Sequence, residues 1–213
     1  MKVKAVPVTG FAQNCRIIIC EQTNKAALVD PGGDADKLQA ELAALNCHLE
    51  AIYLTHGHLD HVGAAKQLAE HFSVDIIGPH LDDKFWFDAL PMQAQMFGFA
   101  PITPFYPTNW LNHGDTITVG ELELSVRHCP GHTPGHVVFY HQGSEQVIVG
   151  DVIFQGSVGR TDFPKGDSAQ LLESIKSEIL SFSDEVAILP GHGPNTTVGH
   201  ERKTNPFISG RFG

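Results

Sequence analysis

The apolar positions of this chain follow two rhythms. Short Val- and Ile-rich runs at residues 3–8, 15–21 and 26–29, each ended by turn residues, predict three strands. After the turn Asp30-Pro31-Gly32-Gly33-Asp34 the period lengthens, and Leu38, Leu42 and Leu45 share one face of a helix over 35–45. A buried strand at 51–54 runs into Thr55-His56-Gly57-His58. A helix beginning at Asp60 or the residue before it continues through Phe72, with Val62, Ala65, Leu68 and Ala69 in register, and 74–77 is a further strand.

The stretch 81–107 breaks the rhythm. Phe, Trp and Met crowd it, while Pro91, Pro101, Pro104 and Pro107 forbid one regular helix. Residues 85–99 either wall a substrate pocket or pack as plain core or interface. Strands resume at 116–119, 122–128, 137–141 and 146–149. A helix over 168–181 carries Leu171, Leu172, Ile175 and Ile179, and a last strand at 185–189 leads into Pro190-Gly191-His192-Gly193-Pro194. The order is a β run, αβα, a second β run, then αβ. Two similar halves of this kind predict an α/β fold in which two sheets pack together with helices outside. The 213 residues contain no linker or low-complexity segment, so a single domain over 1–213 is expected.

Composition narrows the partners. No apolar stretch reaches the roughly 18 residues of a membrane helix, and the N-terminus has no signal-peptide pattern. A soluble cytoplasmic protein is expected. The net charge of -10, from 14 basic and 24 acidic residues, argues against nucleic acid or an anionic membrane as the partner, and no protein partner is implied. Cys15, Cys20, Cys47 and Cys129 lack a CxxC spacing. Cys15 and Cys20 lie in an apolar run and are expected to be buried thiols in a reducing compartment.

Histidine is the unusual component, with 13 copies, several among Gly and Asp. In Thr55-His56-Gly57-His58-Leu59-Asp60-His61, extended backbone sends His56 and His58 to the same side. The turn into a helix then lets Asp60 and His61 face a neighbouring point, and Gly57 leaves room for close approach. That compresses two ligand pairs into six residues. Imidazole and carboxylate suit zinc best, with iron or manganese also served. Cys129-Pro130-Gly131-His132-Thr133-Pro134-Gly135-His136, Gly150-Asp151 and Gly191-His192-Gly193 each add a candidate ligand just past an apolar strand. Together they supply seven ligands, as a two-metal site with one bridging carboxylate requires.

The order HxHxDH, GHTPGH, GD and GHG resembles the metallo-β-lactamase superfamily over nearly the whole chain. The resemblance implies a four-layer αβ/βα sandwich of two mixed sheets with helices outside and metals at the edge between the sheets. It further implies that His56, His58 and His132 hold one divalent ion, Asp60, His61 and His192 the other, and that Asp151 bridges. Val29-Asp30-Pro31-Gly32, Gly159-Arg160-Thr161-Asp162 and Thr204-Asn205-Pro206-Phe207 are similar to the glyoxalase II-like branch, and the size is similar to its short bacterial YcbL-type members. Full-length glyoxalase II carries a C-terminal helical region that this chain is expected to lack.

The implied reaction is metal-dependent hydrolysis of a small-molecule acyl thioester such as S-lactoylglutathione, with Asp60 as the candidate proton acceptor. Asp30 either orients a metal-bound His or caps a turn. Thr133 and His136 shape the ligand loop. Arg160 either grips a substrate carboxylate or pairs with Asp162, and Lys165 is a weaker candidate for substrate. The same branch contains mononuclear-iron persulfide dioxygenases, which would use the positions of His56, His132 and Asp151. Val158 stands where such an enzyme is expected to carry Cys. A metal-binding protein without turnover is the third reading.

Overall fold

A computed structural model describes residues 1–209. Strands β1 (Lys2–Val8), β2 (Gln13–Cys20) and β3 (Lys25–Val29) form an antiparallel meander. Strands β4 (His48–Tyr53) and β5 (Asp75–Ile77) then join in parallel to complete a five-stranded sheet in chain order. The crossovers are helices: α1 (Ala35–Leu45) between β3 and β4, then α2 (Leu59–Val62) and α3 (Ala65–Phe72) between β4 and β5.

The second sheet has six strands. Strands β6 (Thr116–Val119), β7 (Leu122–His128), β8 (Val137–His141) and β9 (Gln146–Gly150) are antiparallel neighbours. Past them lies a small hairpin of β10 (Ile153–Phe154) and β11 (Ser157–Val158). Helix α6 (Ser168–Ser174), continued by a π turn at Ile175–Ile179, leads to β12 (Ala187–Pro190), which lies parallel to β9, and β13 (Thr196–Thr197) forms the edge. Helix α7 (Val198–Thr204) follows.

Alternation along the strands explains the layers. In β2, Ile17 and Ile19 face the helices while Ile18 faces the other sheet; in β3, Ala26 and Leu28 divide from Ala27 and Val29 in the same way. In the second sheet Val137, Phe139 and Ile148 point inward, and Val138, Val147 and Val149 point to α6. Both faces of these strands are covered, so they read as continuous apolar runs rather than alternating ones. Three apolar layers result: helices on sheet one, sheet on sheet, and α6 on sheet two. This is the expected four-layer sandwich. No helix among the described residues is long and apolar enough to cross a membrane.

Several elements differ from their sequence expectation. The helix expected through Phe72 is split, because the Ala64 N–H bonds to Pro31 O instead of continuing the α2 ladder. The 81–107 stretch holds a 3-10 turn at Leu81–Asp83, α4 (Lys84–Asp88) and α5 (Leu90–Phe97), then runs without helix or strand to its end. Pro91 is tolerated in the first turn of α5, where its missing N–H would have no helical partner. The helix expected over 168–181 ends as the π turn.

The short elements β10, β11, β13 and α7 carry no periodicity that sequence reading could detect. They are held by buried polar contacts. Glu201 accepts hydrogen bonds from Gly156 N and Thr196 Oγ1, and Asn205 Nδ2 donates to Ser157 O at 3.0 Å and to Glu201 at 2.9 Å. Both side chains are fully buried. Asn205→Ala leaves these acceptors short of a donor and is expected to cost about 1–3 kcal/mol. Urea unfolding checks this through a lower midpoint at unchanged slope; a midpoint equal to the parent would show that the clamp is dispensable.

Candidate metal centre

The parallel strands β3, β4, β9 and β12 all end at one edge of the sandwich, each followed by a polar residue: Asp30, His56, Asp151 and His192 in turn. Ligand sites form where loops leave the carboxyl ends of such strands. Strand β8 runs antiparallel to β9, so the loop before it, with His132 and His136, reaches the same edge. His58 is the extended residue before α2, and Asp60 and His61 occupy that helix's first turn.

The structure brings all seven sequence-selected ligands together. His58 Nδ1 lies 3.1 Å from His56 Nε2 and 3.0 Å from His132 Nε2. Asp60, His61 and His192 form an adjoining triad, with His192 Nε2 3.2 Å from Asp60. Asp151 stands between the triads: Oδ1 is 3.4 Å from His61 Nε2, and Oδ2 is 3.6 Å from His192 Nε2 and 3.8 Å from His132 Nε2. Glycine permits this crowding. A Cβ at Gly191 would sit 2.3 Å from Asp151 Oδ1, and one at Gly57 would sit 2.7 Å from Trp86 Cβ.

Hydrogen bonds on the far side of four of the rings fix their orientation. Thr55 Oγ1 donates to Asp30 Oδ2 and so accepts from His56 Nδ1 at 3.0 Å. His61 Nδ1 donates to Asp30 Oδ2 at 2.9 Å, His132 Nδ1 to Arg160 O at 2.6 Å, and His192 Nδ1 to Phe11 O at 3.3 Å. With Nδ1 engaged by an acceptor in each case, Nε2 is the atom that these four rings turn toward the two carboxylates. His61 Nε2 and Asp151 Oδ1 are buried with no hydrogen-bond partner. A cluster of imidazole nitrogens and carboxylate oxygens of this kind fits divalent cations, which take the place of any proton held on it.

The electrostatics divide the rings. Burial holds His56, His58 and His132 below the usual imidazole range, so they are neutral donors. Burial acts the same way on His61 and His192 but is outweighed by Asp151 and Asp60, which hold both rings above it. Burial also works to raise Asp151, but His61, His192 and His132 keep its carboxyl well below the ordinary range. Asp60 behaves similarly, with His61 and His192 outweighing burial.

The surrounding residues divide. Asp30 accepts from His61 Nδ1 and, from the loop after β4, from Thr55 N at 2.7 Å, so its carboxylate meets a ligand ring and a distant backbone N–H rather than its own turn. His136 stacks on His56 with ring centroids 4.6 Å apart, and its Nε2 accepts from Asp151 N at 3.1 Å. Thr133 Oγ1 donates to Asp83 Oδ2 at 2.9 Å. Arg160 makes two 2.6 Å bonds to Asp162 and lies 4.0 Å over the Phe163 ring, on the wall of a cavity of about 440 Å³ that opens above the ligand cluster. Lys165 is off that wall, its ammonium 4.0 Å over Phe85.

Sequence reasoning missed three anchors. Asp83, fully buried, accepts from Gly57 N, Thr133 Oγ1 and Gly135 N and so ties the two ligand loops together; burial pushes its carboxyl up to about 7 against these donors. Asn14 and Arg16 on β2 both donate to Pro190 O and fix the His192 loop. Their polar side chains inside an apolar strand were a usable signal; Asp83 had none.

Two stacked mixed sheets with this edge cluster define an αβ/βα metal-binding protein. The family model of the metallo-beta-lactamase superfamily matches residues 8–192, and the chain belongs to that superfamily. Over 212 residues, 99% of this chain and all of the relative, it is 45% identical to a Haemophilus influenzae protein named hydroxyacylglutathione hydrolase GloC. Among solved structures it is similar to the BLEG-1 B3 metallo-beta-lactamase, with 36% identity, a TM-score of 0.90, and coverage of 98% of this chain and 100% of that one. It is likewise similar to TTHA1623, solved in a di-iron-bound form, with 37% identity, a TM-score of 0.88, and coverage of 96% and 100%.

Removing Asp30 frees the His61 ring to rotate and take the wrong tautomer. Asp30→Ala is expected to weaken zinc binding by roughly 10- to 100-fold, read as faster and more complete metal transfer to a chromogenic chelator. Retention equal to the parent would mean that the ring is oriented by something else.

Proposed function

We propose that this chain is a metal-dependent acyl-thioester hydrolase that converts S-lactoylglutathione to lactate and glutathione at two divalent cations. The observation that carries the reading is the ring of imidazole nitrogens turned toward Asp151, each ring held from its far side by a hydrogen bond. Similarity along the whole chain to a hydroxyacylglutathione hydrolase supports the reaction class. His56, His58 and His132 would hold one ion and Asp60, His61 and His192 the other, with Asp151 placed between them. This nitrogen and oxygen set suits zinc best, and iron or manganese are also served.

When bound, the cations supply Lewis acidity for the thioester carbonyl and a water acidified toward neutral pH. The chain's own groups orient and exclude. Asp60, at the floor of that cavity, receives the proton of the attacking water. The water oxygen bonds to the acyl carbon, the C–S bond breaks, and sulfur leaves as a thiolate that needs no general acid. Trp86 and Phe163 pack edge-on against His58 at 4.5 and 5.3 Å between centroids and keep bulk water from that ring. Arg160 receives a carboxylate of the thiol portion by exchanging its exposed partner Asp162, and Lys165 adds positive charge nearby. The four free thiols fit a cytoplasmic setting, with a small molecule as the sole partner.

Bound metal and loss of S-lactoylglutathione should be measured on one preparation. Two equivalents of metal per chain and turnover abolished by a chelator are expected. Asp151→Ala should cost more than the roughly 100-fold typical of an outer-shell partner. Two metals bound with no thioester cleaved would overturn the reading. A single iron with oxygen consumed on glutathione persulfide would replace it with the dioxygenase.

A further inference from the structure

A cavity of about 440 Å³ opens from the ligand cluster to the surface, with His58, Asp60, His132, Asp151 and His192 at its floor. Above the floor its walls are almost wholly apolar, and the aromatic contacts run without a gap. Trp86 packs on His58 and on Phe163, with centroids 4.5 and 6.1 Å apart; Phe163 meets Phe97 at 6.3 Å. Phe97 meets Phe11 edge-on at 5.9 Å, and Phe11 stacks on Phe99 at 5.6 Å. Phe11 comes from the β1–β2 turn, the others from α4, α5 and the residues that follow them, and the loop after β11. Three separate segments therefore converge on one belt.

The belt also gathers exposed apolar surface. Phe11, Met92, Met96 and Phe97 are 47%, 53%, 64% and 40% exposed, and they are half of the eight large exposed hydrophobic side chains among the described residues. Scattered exposed apolar residues need no explanation, but a patch concentrated at the mouth of a reactive cavity marks a binding surface.

Polar recognition on this wall is sparse. Gln93 is spent inside the protein, accepting from Leu59 N at 2.9 Å and donating to Trp86 O at 2.9 Å. Arg160 is the single arginine or lysine side chain lining the cavity among the described residues, and it is already engaged by Asp162. A belt of this kind is poor surroundings for the carboxylates and ammonium of glutathione, which lose hydration there without gaining partners. It suits the other end of a thioester.

We propose that the belt is an acyl-binding subsite, and that the preferred substrates are thioesters of apolar acyl groups, aliphatic or aromatic, over the short hydroxylated lactoyl group. This rests on the thioester hydrolysis proposed above. The acyl chain lies along Trp86, Phe97 and Met96, while the thiol portion extends toward Arg160 and solvent. The overall change is that of any thioester hydrolysis: thioester and water give carboxylate, thiol and one proton, with the acyl C–S bond exchanged for a C–O bond.

The test holds the thiol constant. Glutathione thioesters of lactoyl, butanoyl, hexanoyl and phenylacetyl groups are compared by kcat/KM on the metal-loaded protein. Burial of each methylene contributes about 0.8 kcal/mol, so kcat/KM should rise by up to about fourfold per added methylene between butanoyl and hexanoyl, with lactoyl slowest. In Phe97→Ser and, separately, Met96→Ser, the hexanoyl-to-lactoyl ratio should fall at least threefold, mainly through KM for the hexanoyl thioester. Met96 is mostly exposed, so its variant tests the belt even where the Phe97 variant folds poorly. Lactoyl cleaved as fast as or faster than the apolar acyls would overturn the subsite and leave thioester hydrolysis standing. A preference for apolar acyls that neither substitution alters would also overturn the belt as its source. No cleavage of any of the four with metal bound would instead defeat the reaction itself, and the subsite with it.

Discussion

Seven metal-binding side chains crowd one edge of this sandwich, and much of the local structure serves to hold them there. The clustered imidazoles of His56, His58 and His132 disfavour positive charge on one another, and burial at the strand ends removes the water that would screen it. Such a cluster persists only if each group is fixed from behind. Asp30 fixes His61 and Thr55, the Arg160 carbonyl fixes His132, the Phe11 carbonyl fixes His192, and the His136 ring holds the backbone of Asp151. The cation that fills the cluster is thereby selected in advance by geometry and donor type.

The fold supplies the rigidity. Strands covered on both faces leave little freedom for their ends, so residues placed just past β3, β4, β9 and β12 inherit the precision of the sheets. Buried polar ties join what the strands do not. Asp83 links the loop of His56 and His58 to that of His132 through Gly57, Thr133 and Gly135, and Asn14 with Arg16 reaches from the first sheet to the turn of His192. The site is thus built across both halves of the chain, and neither half contains it alone.

Much of this was legible in the amino-acid sequence, for identifiable reasons. Strands β6, β7 and β8 and helix α1 have clean periodicity between strong turn residues, and their limits read off directly. The ligands were visible because HxHxDH packs four metal-binding side chains into six residues, a density that a solvated loop does not explain. What could not be read is of two kinds. Elements of two residues, such as β10, β11 and β13, are too short for any period, and α7 depends on tertiary bonds to Glu201 and Asn205. The break between α2 and α3 depends on Pro31, distant in sequence, capturing the Ala64 N–H. Asp83 looks like any loop carboxylate until the fold buries it, and whether the aromatic stretch at 85–99 was core or pocket wall depended on the meeting of Phe11, Phe97 and Phe163 from three segments.

The central claim is that two cations sit in this cluster, one in each triad, with Asp151 between them. An anomalous-difference map at the zinc edge, from crystals of the zinc-loaded protein, tests it directly. The account predicts two peaks, one among His56, His58 and His132 and one among Asp60, His61 and His192, each also touched by an oxygen of Asp151. A single peak, or density outside these triads at full zinc loading, would contradict it.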